Sequence, residues 1–394
     1  MNLEAGIICL LLLLSIGVFA FPIPEKLMNG ASYGVLAFLI TWRWKRCIYV
    51  ATRDIPLLLL LVTAVASIFW SAAPDSTINE IKTLLRGTLL GVYLAARYTI
   101  EELAQLFVWL FGIGTFLGLA GYLSSSLRGF LGYKNSIATV ATLAAMLFLM
   151  IAIDKHKHRW VGLVGFSMAM TLNLISLSKS GLSAFLILVS LYPLSNLVKH
   201  HYKLRIVFFI TALLLGSIAF VLILNNLEFI VVDKLGKDLD FNGRIPIWKL
   251  IFEKGLERPW LGYGYVGFWT SEAGLFVVYN SWASEGEDAA IGNRFNSHNG
   301  FLDLFVQLGA VGFSLYILSL MTLLLRITSL FFKSKKLELF AILQIVFSFV
   351  FFSLSDSVNG MILTPSPFWT IYVAIALSTR LYYNRCISHS FSKQ

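Results

Sequence analysis

The segment RFNSHNGFLDLF, which begins at Arg294, brings cationic, imidazole and acidic side chains to the start of an apolar run. The imidazole of His298 belongs to the one side-chain type that changes charge near neutral pH, so it could accept or pass on a proton. Asp303 follows by about one helical turn and would either orient the imidazole or face solvent. A structural alternative is that the segment only caps a helix, with Ser297 or Asn299 accepting hydrogen bonds from open amides.

Cationic side chains at several other positions suit the binding of an anion. A charge at bilayer depth is costly unless it faces a cavity or binds a partner, and a single cation there is commonly an interfacial anchor. As a set that converges with His298, these cations would form a cradle for a diphosphate, which guanidinium groups bind with two parallel hydrogen bonds. The set consists of Arg86, Lys134, Lys179, Arg244 and Arg294.

Motifs of several other enzyme classes are missing from the sequence. It contains no P-loop or HExxH motif and no complete EF-hand loop, so mechanisms driven by nucleotides or metals lack motif support. The three cysteines, Cys9, Cys47 and Cys386, are not placed for a disulfide or a four-ligand zinc site. We therefore expect neither a metal nor a cofactor.

Composition and hydropathy indicate which elements must hold these residues. Hydrophobic residues make up 58% of the 394 residues and charged residues 13%, and the mean hydropathy is +0.78. Apolar runs of about 17–25 residues, long enough for a helix to cross about 30 Å of hydrocarbon, recur from end to end. We expect an all-α polytopic membrane protein, a single membrane domain over residues 1–394 with about twelve transmembrane helices. The predicted spans are 5–21, 30–42, 55–71, 83–97, 103–124, 136–153, 160–177, 181–198, 205–225, 308–326, 338–355 and 367–383.

Basic residues in the short loops predict the orientation of these spans. Most of them fall on one side under the twelve-span order, and cytoplasmic loops carry such an excess. We therefore expect both termini to be cytoplasmic and, of the six histidines, only His298 to lie on the outer side. The net charge of +10 then reflects topology and anionic lipid, and it gives no reason to expect a nucleic-acid partner.

One long connection, residues 226–307 between spans nine and ten, interrupts the short loops and falls on the outer side. A loop of this length usually has a function. Within it Ile247, Leu250 and Ile251 recur at helical spacing before Pro259, which predicts a short amphipathic helix on the bilayer surface. The loop therefore holds the histidine and two of the cations singled out above.

A histidine pattern and several sequence blocks resemble one membrane-protein family. His298, Asn299, nine residues, Gly309, two residues and Gly312 reproduce the H-[NSQ]-x9-G-x-x-[GTY] pattern of O-antigen ligases and the related polysaccharide polymerases. The stretch 242–269, with an arginine, a tryptophan, Arg-Pro and Gly-Tyr-Gly, is similar to the family segment that precedes this pattern. Three further blocks resemble the family in the same order: SIFWSAAPDSTINEIKTLLRG (67–87), LGYKNSIA (131–138) and LSKSGLSAF (177–185).

The resemblance implies a glycosyltransferase of the C type in the bacterial inner (plasma) membrane. Such an enzyme takes glycan from an undecaprenyl diphosphate carrier on the periplasmic face and needs no nucleotide sugar or metal. Its partners would be that donor, a glycan or lipid-linked acceptor, and the lipid bilayer. His298 matches the essential histidine, and Arg244 matches the loop arginine that holds the diphosphate. A departure is Ser178-Lys179-Ser180 in place of Ser-Arg-Gly, since lysine lacks the planar fork of arginine.

The acceptor distinguishes the activities within this family. Lys179, together with the Lys134-Asn135 pair, is more like polymerases of exopolysaccharide or O-antigen repeats, so we expect a polymerase. The alternative is an O-antigen ligase that transfers glycan to lipid A-core. A hypothesis from another class is a transporter or flippase, although the sequence lacks the paired halves with broken helices that many transporters have.

The roles of individual residues stay open at this point. His298 would act as a general base or as a phosphate ligand, and Asn299 and Asp303 would support it. Aromatic residues of the long loop would line the path of the sugar or, alternatively, pack the loop on the bilayer. These aromatic residues are Tyr263, Tyr265, Trp269, Tyr279 and Trp282.

Overall fold

The computed structural model describes residues 3–16, 25–124, 134–153, 158–200, 244–281, 295–334, 336–355, 362–363 and 366–391. In these ranges the backbone forms helices joined by turns, and it forms no strand. The α-helices, numbered in chain order, are α1 (Leu3–Ile16), α2 (Glu25–Trp42), α3 (Trp44–Ala51), α4 (Ile55–Ala66), α5 (Pro74–Arg97), α6 (Ile100–Leu123), α7 (Lys134–Ile153), α8 (Arg159–Ile175), α9 (Lys179–His200), α10 (Arg244–Glu257), α11 (Glu272–Tyr279), α12 (Gly300–Ser334), α13 (Leu337–Ser355) and α14 (Pro367–Phe391).

The predicted spans agree well with these helices. The ninth span, 205–225, and the end of the first, 17–21, lie outside the described residues, and every other span overlaps a helix, as does the described part of the first. Four of the described helices are long and apolar enough to cross a membrane, and a fifth span results if α3 and α4, bent by 96° at their junction, count as one. The chain is therefore an all-α membrane protein, and the total of twelve spans stays a prediction. The four helices are α6, α7, α12 and α13.

Two contacts identify the ends of the helical bundle. Gly300, the first residue of α12, lies against Ser353 near the end of α13, so the two helices run antiparallel from this end, which we call the histidine end. At the opposite end Lys336, just before α13, pairs with Glu101 in the first turn of α6 at 2.6 Å. Helix α6 therefore runs from the opposite end toward the histidine end.

Helix α7 begins at the histidine end and runs back along α6. Gly114 of α6 lies beside Val140, whereas Gly112, which is nearer the start of α6, lies beside Phe148. The two helices are thus antiparallel.

Helix α9 begins next to the start of α7. Gly181, in the first turn of α9, lies beside Ala138 of α7, and Thr142 Oγ1 of α7 donates a hydrogen bond to the Gly181 carbonyl at 3.0 Å. Lys134 and Lys179 are the first residues of these two helices. Both predicted cations are therefore located at the histidine end, on neighbouring helix starts.

A buried ion pair joins α4 to α12. Arg326 Nη1 lies 2.5 Å from Asp54 Oδ2, and the two side chains are 9% and 1% exposed. Asp54 also caps α4, because its carboxylate accepts a hydrogen bond from the Leu57 N–H at 3.2 Å. The carboxylate thus compensates a guanidinium that would otherwise be very costly inside an apolar helix bundle.

Candidate functional site

Helix α12 is broken at Gly309, the first glycine of the histidine pattern. Gly309 has φ 63° and ψ −165°, a conformation that residues with a side chain rarely adopt. A Cβ atom at this position would overlap the carbonyl carbon of Trp260. Residues 300–308 are therefore set off from the rest of the helix.

Residues 259–266, here called the clasp segment, replace the helical hydrogen bonds lost at this break. Four backbone hydrogen bonds of 2.7–3.2 Å connect the two, two in each direction. Open amides and carbonyls in an apolar setting are costly, so the clasp segment makes the break tolerable. The pairs, donor first, are Tyr263 to Val306, Gly264 to Gln307, Ala310 to Pro259 and Val311 to Trp260.

The clasp segment also rests on the turn between α4 and α5. The Tyr265 N–H donates to Ser67 Oγ at 2.9 Å, and Thr77 Oγ1 donates to the Tyr265 carbonyl at 2.8 Å. The indole N–H of Trp70 donates to the Leu261 carbonyl at 2.9 Å. The clasp segment is thus bonded both to α12 and to the region between α4 and α5. Because it follows α10 directly in the chain, it also connects the end of α10 to the bundle.

The hydroxyl of Tyr263 joins the clasp segment to the end of α10. It donates to Glu257 Oε2 at 2.8 Å and lies 3.1 Å from the Lys254 carbonyl. Burial, and then the adjacent carboxylate, raise the pKa of Tyr263 to about 12. Hydrogen bonds from Lys254 and Tyr263 lower the pKa of Glu257. At neutral pH the pair is therefore a protonated phenol and an ionised carboxylate.

Residues 295–299, here called the histidine loop, are held from two sides at Ser297. On one side the carboxylate of Asp303 accepts hydrogen bonds from the Ser297 N–H at 3.3 Å and from the Trp269 indole at 3.0 Å. On the other side the Trp248 indole donates to the Ser297 carbonyl at 2.7 Å. Ser297 is fully buried and Asp303 is 6% exposed. The expectation that Asp303 faces solvent is therefore wrong, because its carboxylate holds the backbone beside the histidine.

His298 lies in the left-handed backbone region, with φ 53°. Its N–H donates to Asn296 Oδ1 at 2.9 Å, and its ring meets the Phe295 ring edge-on at 6.3 Å. A residue other than glycine in this region costs on the order of 1 kcal/mol and persists where the surroundings fix it. Strain of this kind is commonly found at functional sites.

Asn299 supplies the cap of α12. Its Oδ1 accepts hydrogen bonds from the N–H groups of Phe301 at 3.1 Å and Leu302 at 3.2 Å. The predicted capping role is thus confirmed for Asn299. The cap does not need the imidazole of His298.

Helix α10 begins at Arg244 and contacts the histidine loop through Trp248. Arg244 is the first residue of this helix, and Trp248 follows one turn later, about 6 Å along the axis and on the same face. Because Trp248 bonds to Ser297, the arginine and His298 lie on adjoining elements. The predicted amphipathic helix is confirmed as a helix over Arg244–Glu257, with Ile247 and Ile251 buried.

A groove of about 670 Å³ runs between α10 and the first part of α12. Its wall is mostly apolar and aromatic, and Phe252 of α10 stacks on Phe305 of α12 at 5.9 Å. Lys249 and Asn299 contribute charge and polarity. The groove is therefore suited to a lipid-like chain that ends in an anionic group.

The described contacts of Arg86 are with helix α2. Arg86 lies midway along α5, where its Nη1 donates to Ser32 Oγ at 3.1 Å and its guanidinium lies over the Tyr33 ring at 5.0 Å. These contacts tie Arg86 to α2. Arg294 and the side chains of Lys134 and Lys179 lie outside what the structure describes.

The loop aromatics divide by burial. Tyr263, Tyr265 and Trp269 are 4%, 0% and 6% exposed and pack inside the protein, so neither a place along the sugar path nor packing on the bilayer describes these three. Tyr279 is 62% exposed, and Trp282 lies outside the described residues.

Sequence reasoning missed two residues that organise the site. Trp248 bonds to the histidine loop, and Gln307 accepts the Val266 N–H at 3.0 Å through its side-chain oxygen. The spacing of Trp248, one turn after Arg244, was the available signal. Gln307 offered none, because its partner depends on the break in α12.

Comparisons with known proteins cover the same region. Residues 164–317 match the family model described as O-Antigen ligase, and this range includes α10, the clasp segment, the histidine loop and the break in α12. Over 341 residues the chain is 24% identical to the exopolysaccharide production protein ExoQ of Rhizobium meliloti (strain 1021), which covers 79% of this chain and 74% of that protein. These matches confirm the resemblance seen in the sequence. Over residues 164–317 the chain is therefore similar to the O-antigen ligase family.

Proposed function

We propose that the protein is a polymerase of lipid-linked glycan. It would be a membrane glycosyltransferase of the C type that joins exopolysaccharide or O-antigen repeats carried on undecaprenyl diphosphate. The family match and the similarity to an exopolysaccharide production protein support an enzyme of polysaccharide processing in the inner membrane. The proposal that the enzyme is a polymerase goes beyond what these two similarities support.

The observation that carries the proposal is the hydrogen bond of 2.7 Å from Trp248 to Ser297. It joins the helix that begins with Arg244 to the loop that contains His298. This contact supports the proposal that a cation suited to a diphosphate and a group suited to proton transfer would act in one site. The apolar groove beside them would hold the isoprenoid chain of the carrier, with Lys249 near its anionic head.

In the proposed reaction an acceptor hydroxyl oxygen attacks the anomeric carbon of the donor sugar. The bond from that carbon to the phosphate oxygen breaks, and undecaprenyl diphosphate leaves with the electron pair. Negative charge grows on the leaving diphosphate, so preorganised cations contribute most of the stabilisation. Arg244 would be the main one, with Lys134 and Lys179 at two neighbouring helix starts, whose dipoles add positive potential, and with Arg294.

His298 would take the proton of the acceptor hydroxyl, which is worth roughly 10²–10⁴-fold in rate. The alternative role, a ligand of the phosphate, requires the protonated imidazole. The two roles give opposite pH dependence. As a base, His298 must be unprotonated, so kcat rises with pH, and as a phosphate ligand it must be protonated, so kcat falls with pH.

The proposal includes an orientation in the membrane. Both termini would be cytoplasmic, and the histidine end of the bundle would face the periplasm. Residues 226–307 would form one large periplasmic loop within a single membrane domain.

The test is a reconstituted assay with carrier-linked repeats and no lipid A-core. The purified full chain should give a ladder of longer products, and His298→Ala should abolish the ladder. His158→Ala is the matched control, because His158 is exposed before α8 at the opposite end of the bundle. A ladder that persists in His298→Ala, or repeats that only cross the membrane without joining, would overturn the proposal.

A chelator provides a second arm of this assay. The ladder should form equally well in excess EDTA, since the proposed site uses protein cations. A requirement for a divalent cation would contradict this, and the acidic run DLDFNG (238–243) directly before Arg244 would be the first segment to mutate.

The second candidate is an O-antigen ligase, which the description of the matching family model favours. Donor chemistry is the same in both cases, and only the acceptor differs. Transfer of glycan to added lipid A-core, with no ladder in its absence, would establish the ligase.

A further inference from the structure

We propose that Trp248 is a positioning residue that keeps His298 in its left-handed conformation. The consequence for catalysis rests on the proposed function of His298. The effect of Trp248 on the conformation of the loop does not depend on that function. The rate of chemical modification of His298 measures the conformation, and kcat and KM measure the catalysis.

The peptide group between Ser297 and His298 is fixed at both of its polar atoms. Its carbonyl oxygen accepts from the Trp248 indole at 2.7 Å, and its N–H donates to Asn296 Oδ1 at 2.9 Å. The φ angle of His298, 53°, is the rotation that directly follows this group. With the plane held, the side chain of His298 leaves the backbone in one direction.

Asp303 fixes the preceding peptide group in a similar way. Its carboxylate accepts the Ser297 N–H at 3.3 Å and is itself oriented by the Trp269 indole at 3.0 Å. Consecutive peptide planes are thus held by side chains from two helices, α10 and α12, and by the segment after the clasp. The hydrogen bond from Trp248 links the loop to α10, the helix that begins with Arg244.

Trp248 also lines the groove, so its indole has two separable functions. The ring contacts the groove, and the N–H contacts the histidine loop. Trp248→Phe keeps an aromatic ring in the groove and removes the hydrogen bond together with part of the ring surface. A hydrogen bond to a buried carbonyl and a left-handed backbone each correspond to about a five- to thirty-fold change in population, so the loss should be measurable.

The experiment first measures the rate at which diethyl pyrocarbonate modifies His298 in the substrate-free full chain, followed by mass spectrometry. Trp248→Phe should accelerate this modification about five- to thirty-fold, because the loop loses its hold and the ring becomes accessible. Trp160→Phe, near the start of α8 at the opposite end of the bundle, is the matched control, since Trp160 is 77% exposed, and it should leave the rate unchanged. Thermal midpoints confirm that both variants are folded.

The second measurement separates kcat from KM for the carrier-linked donor. A positioning role predicts that Trp248→Phe lowers kcat by a similar factor and changes KM less than about twofold. An unchanged modification rate, or a raised KM with unchanged kcat, would overturn the inference, because Trp248 would then be only a wall of the groove.

Two further variants distinguish an unstable protein from a wrong inference, and a failure of the inference from a failure of the proposed function. If Trp248→Phe is unstable, Asp303→Asn tests the same loop from α12 and should also accelerate the modification of His298. If His298→Ala stays active while Trp248→Phe accelerates modification, the positioning of the loop stands and the proposed function fails.

Discussion

The residues around His298 are held mainly by hydrogen bonds to the backbone. Trp248, Asp303 and Asn296 each bind a peptide group of the histidine loop. Preorganisation of this kind lets a catalytic group act without first being ordered. Arg244, at the start of α10, is the charged counterpart of this arrangement.

At the residue scale we expect the geometry of Arg244 to matter as well as its charge. Arg244→Lys keeps the charge and loses the planar fork, so the KM for the carrier-linked donor should rise about tenfold, and Arg244→Ala should cost 100-fold or more, roughly 3 kcal/mol, in kcat/KM. Arg159→Lys, at an exposed position that starts α8, is the control and should behave as wild type. Equal activity of Arg244→Lys and wild type would show that only the charge is used.

The sequence singles out His298 by residue type and by its spacing to Gly309, and Arg244 by its match to the loop arginine of the family it resembles, and the roles of both stay predictions. The network that holds them could not be predicted, since the Trp248 indole bonds to a carbonyl 49 positions away. The orientation of the Asp303 carboxylate likewise depends on the Trp269 indole, which donates to it from 34 positions earlier in the chain.

At the scale of elements, the break in α12 and the clasp segment form one unit. The hydropathy pattern predicted a span that starts at 308, and the structure starts the helix at Gly300 with the break at Gly309. Apolar periodicity continues through the break, so hydropathy alone cannot reveal it. The backbone exchange with residues 259–264 does.

Gly309→Ala should disrupt this unit. The new Cβ would overlap the backbone at Trp260, and φ 63° would be strained, so we expect a loss of at least about 3 kcal/mol in the free energy of unfolding. Gly34→Ala in α2 is the control, since nothing lies within 4 Å of its added methyl group, and it should be neutral or stabilising by up to ~1 kcal/mol. Thermal unfolding in detergent distinguishes the two, and similar midpoints would contradict the role of the clasp segment.

Tyr263→Phe tests the attachment of the clasp segment to α10. Loss of the hydroxyl should lower the free energy of unfolding by about 1 kcal/mol at pH 8. The pKa of Tyr263 is raised from 10.0 to about 12 in the folded state, so its contribution is complete below pH 10 and is lost as the pH rises toward 12. The difference in thermal midpoint between wild type and Tyr263→Phe should therefore narrow between pH 10 and 12. A constant difference in thermal midpoint over this pH range would mean that folding does not raise the pKa of Tyr263.

At the scale of the whole molecule, the bundle places its chemistry at one end. Lys134, Lys179 and the histidine loop are found there through the directions of α6, α7, α9 and α12, which contacts between distant helices reveal. The sequence predicted the helices but not which helices pack against each other. Lipid tails are as apolar as the helix surfaces, so hydropathy does not distinguish a surface that faces lipid from one that faces another helix.

The ion pair of Arg326 with Asp54 should be a global determinant of stability. Asp54→Asn leaves a buried guanidinium uncompensated and should cost about 3–5 kcal/mol in the free energy of unfolding, whereas the double change Asp54→Asn with Arg326→Met should recover much of it. Glu101→Gln breaks the half-exposed pair with Lys336 and should cost less than about 1 kcal/mol. Unfolding in detergent mixtures measures all three, and equal losses in Asp54→Asn and Glu101→Gln would contradict the assignment.

The clasp segment has a consequence for biogenesis. Residues 259–264 leave the ribosome before the stretch near Gly309 with which they exchange hydrogen bonds. Until that later stretch is synthesised, the earlier peptide groups must be satisfied by water or by a chaperone. Translation order thus creates a waiting period, and a delay during this interval would leave the nascent chain most vulnerable to proteases.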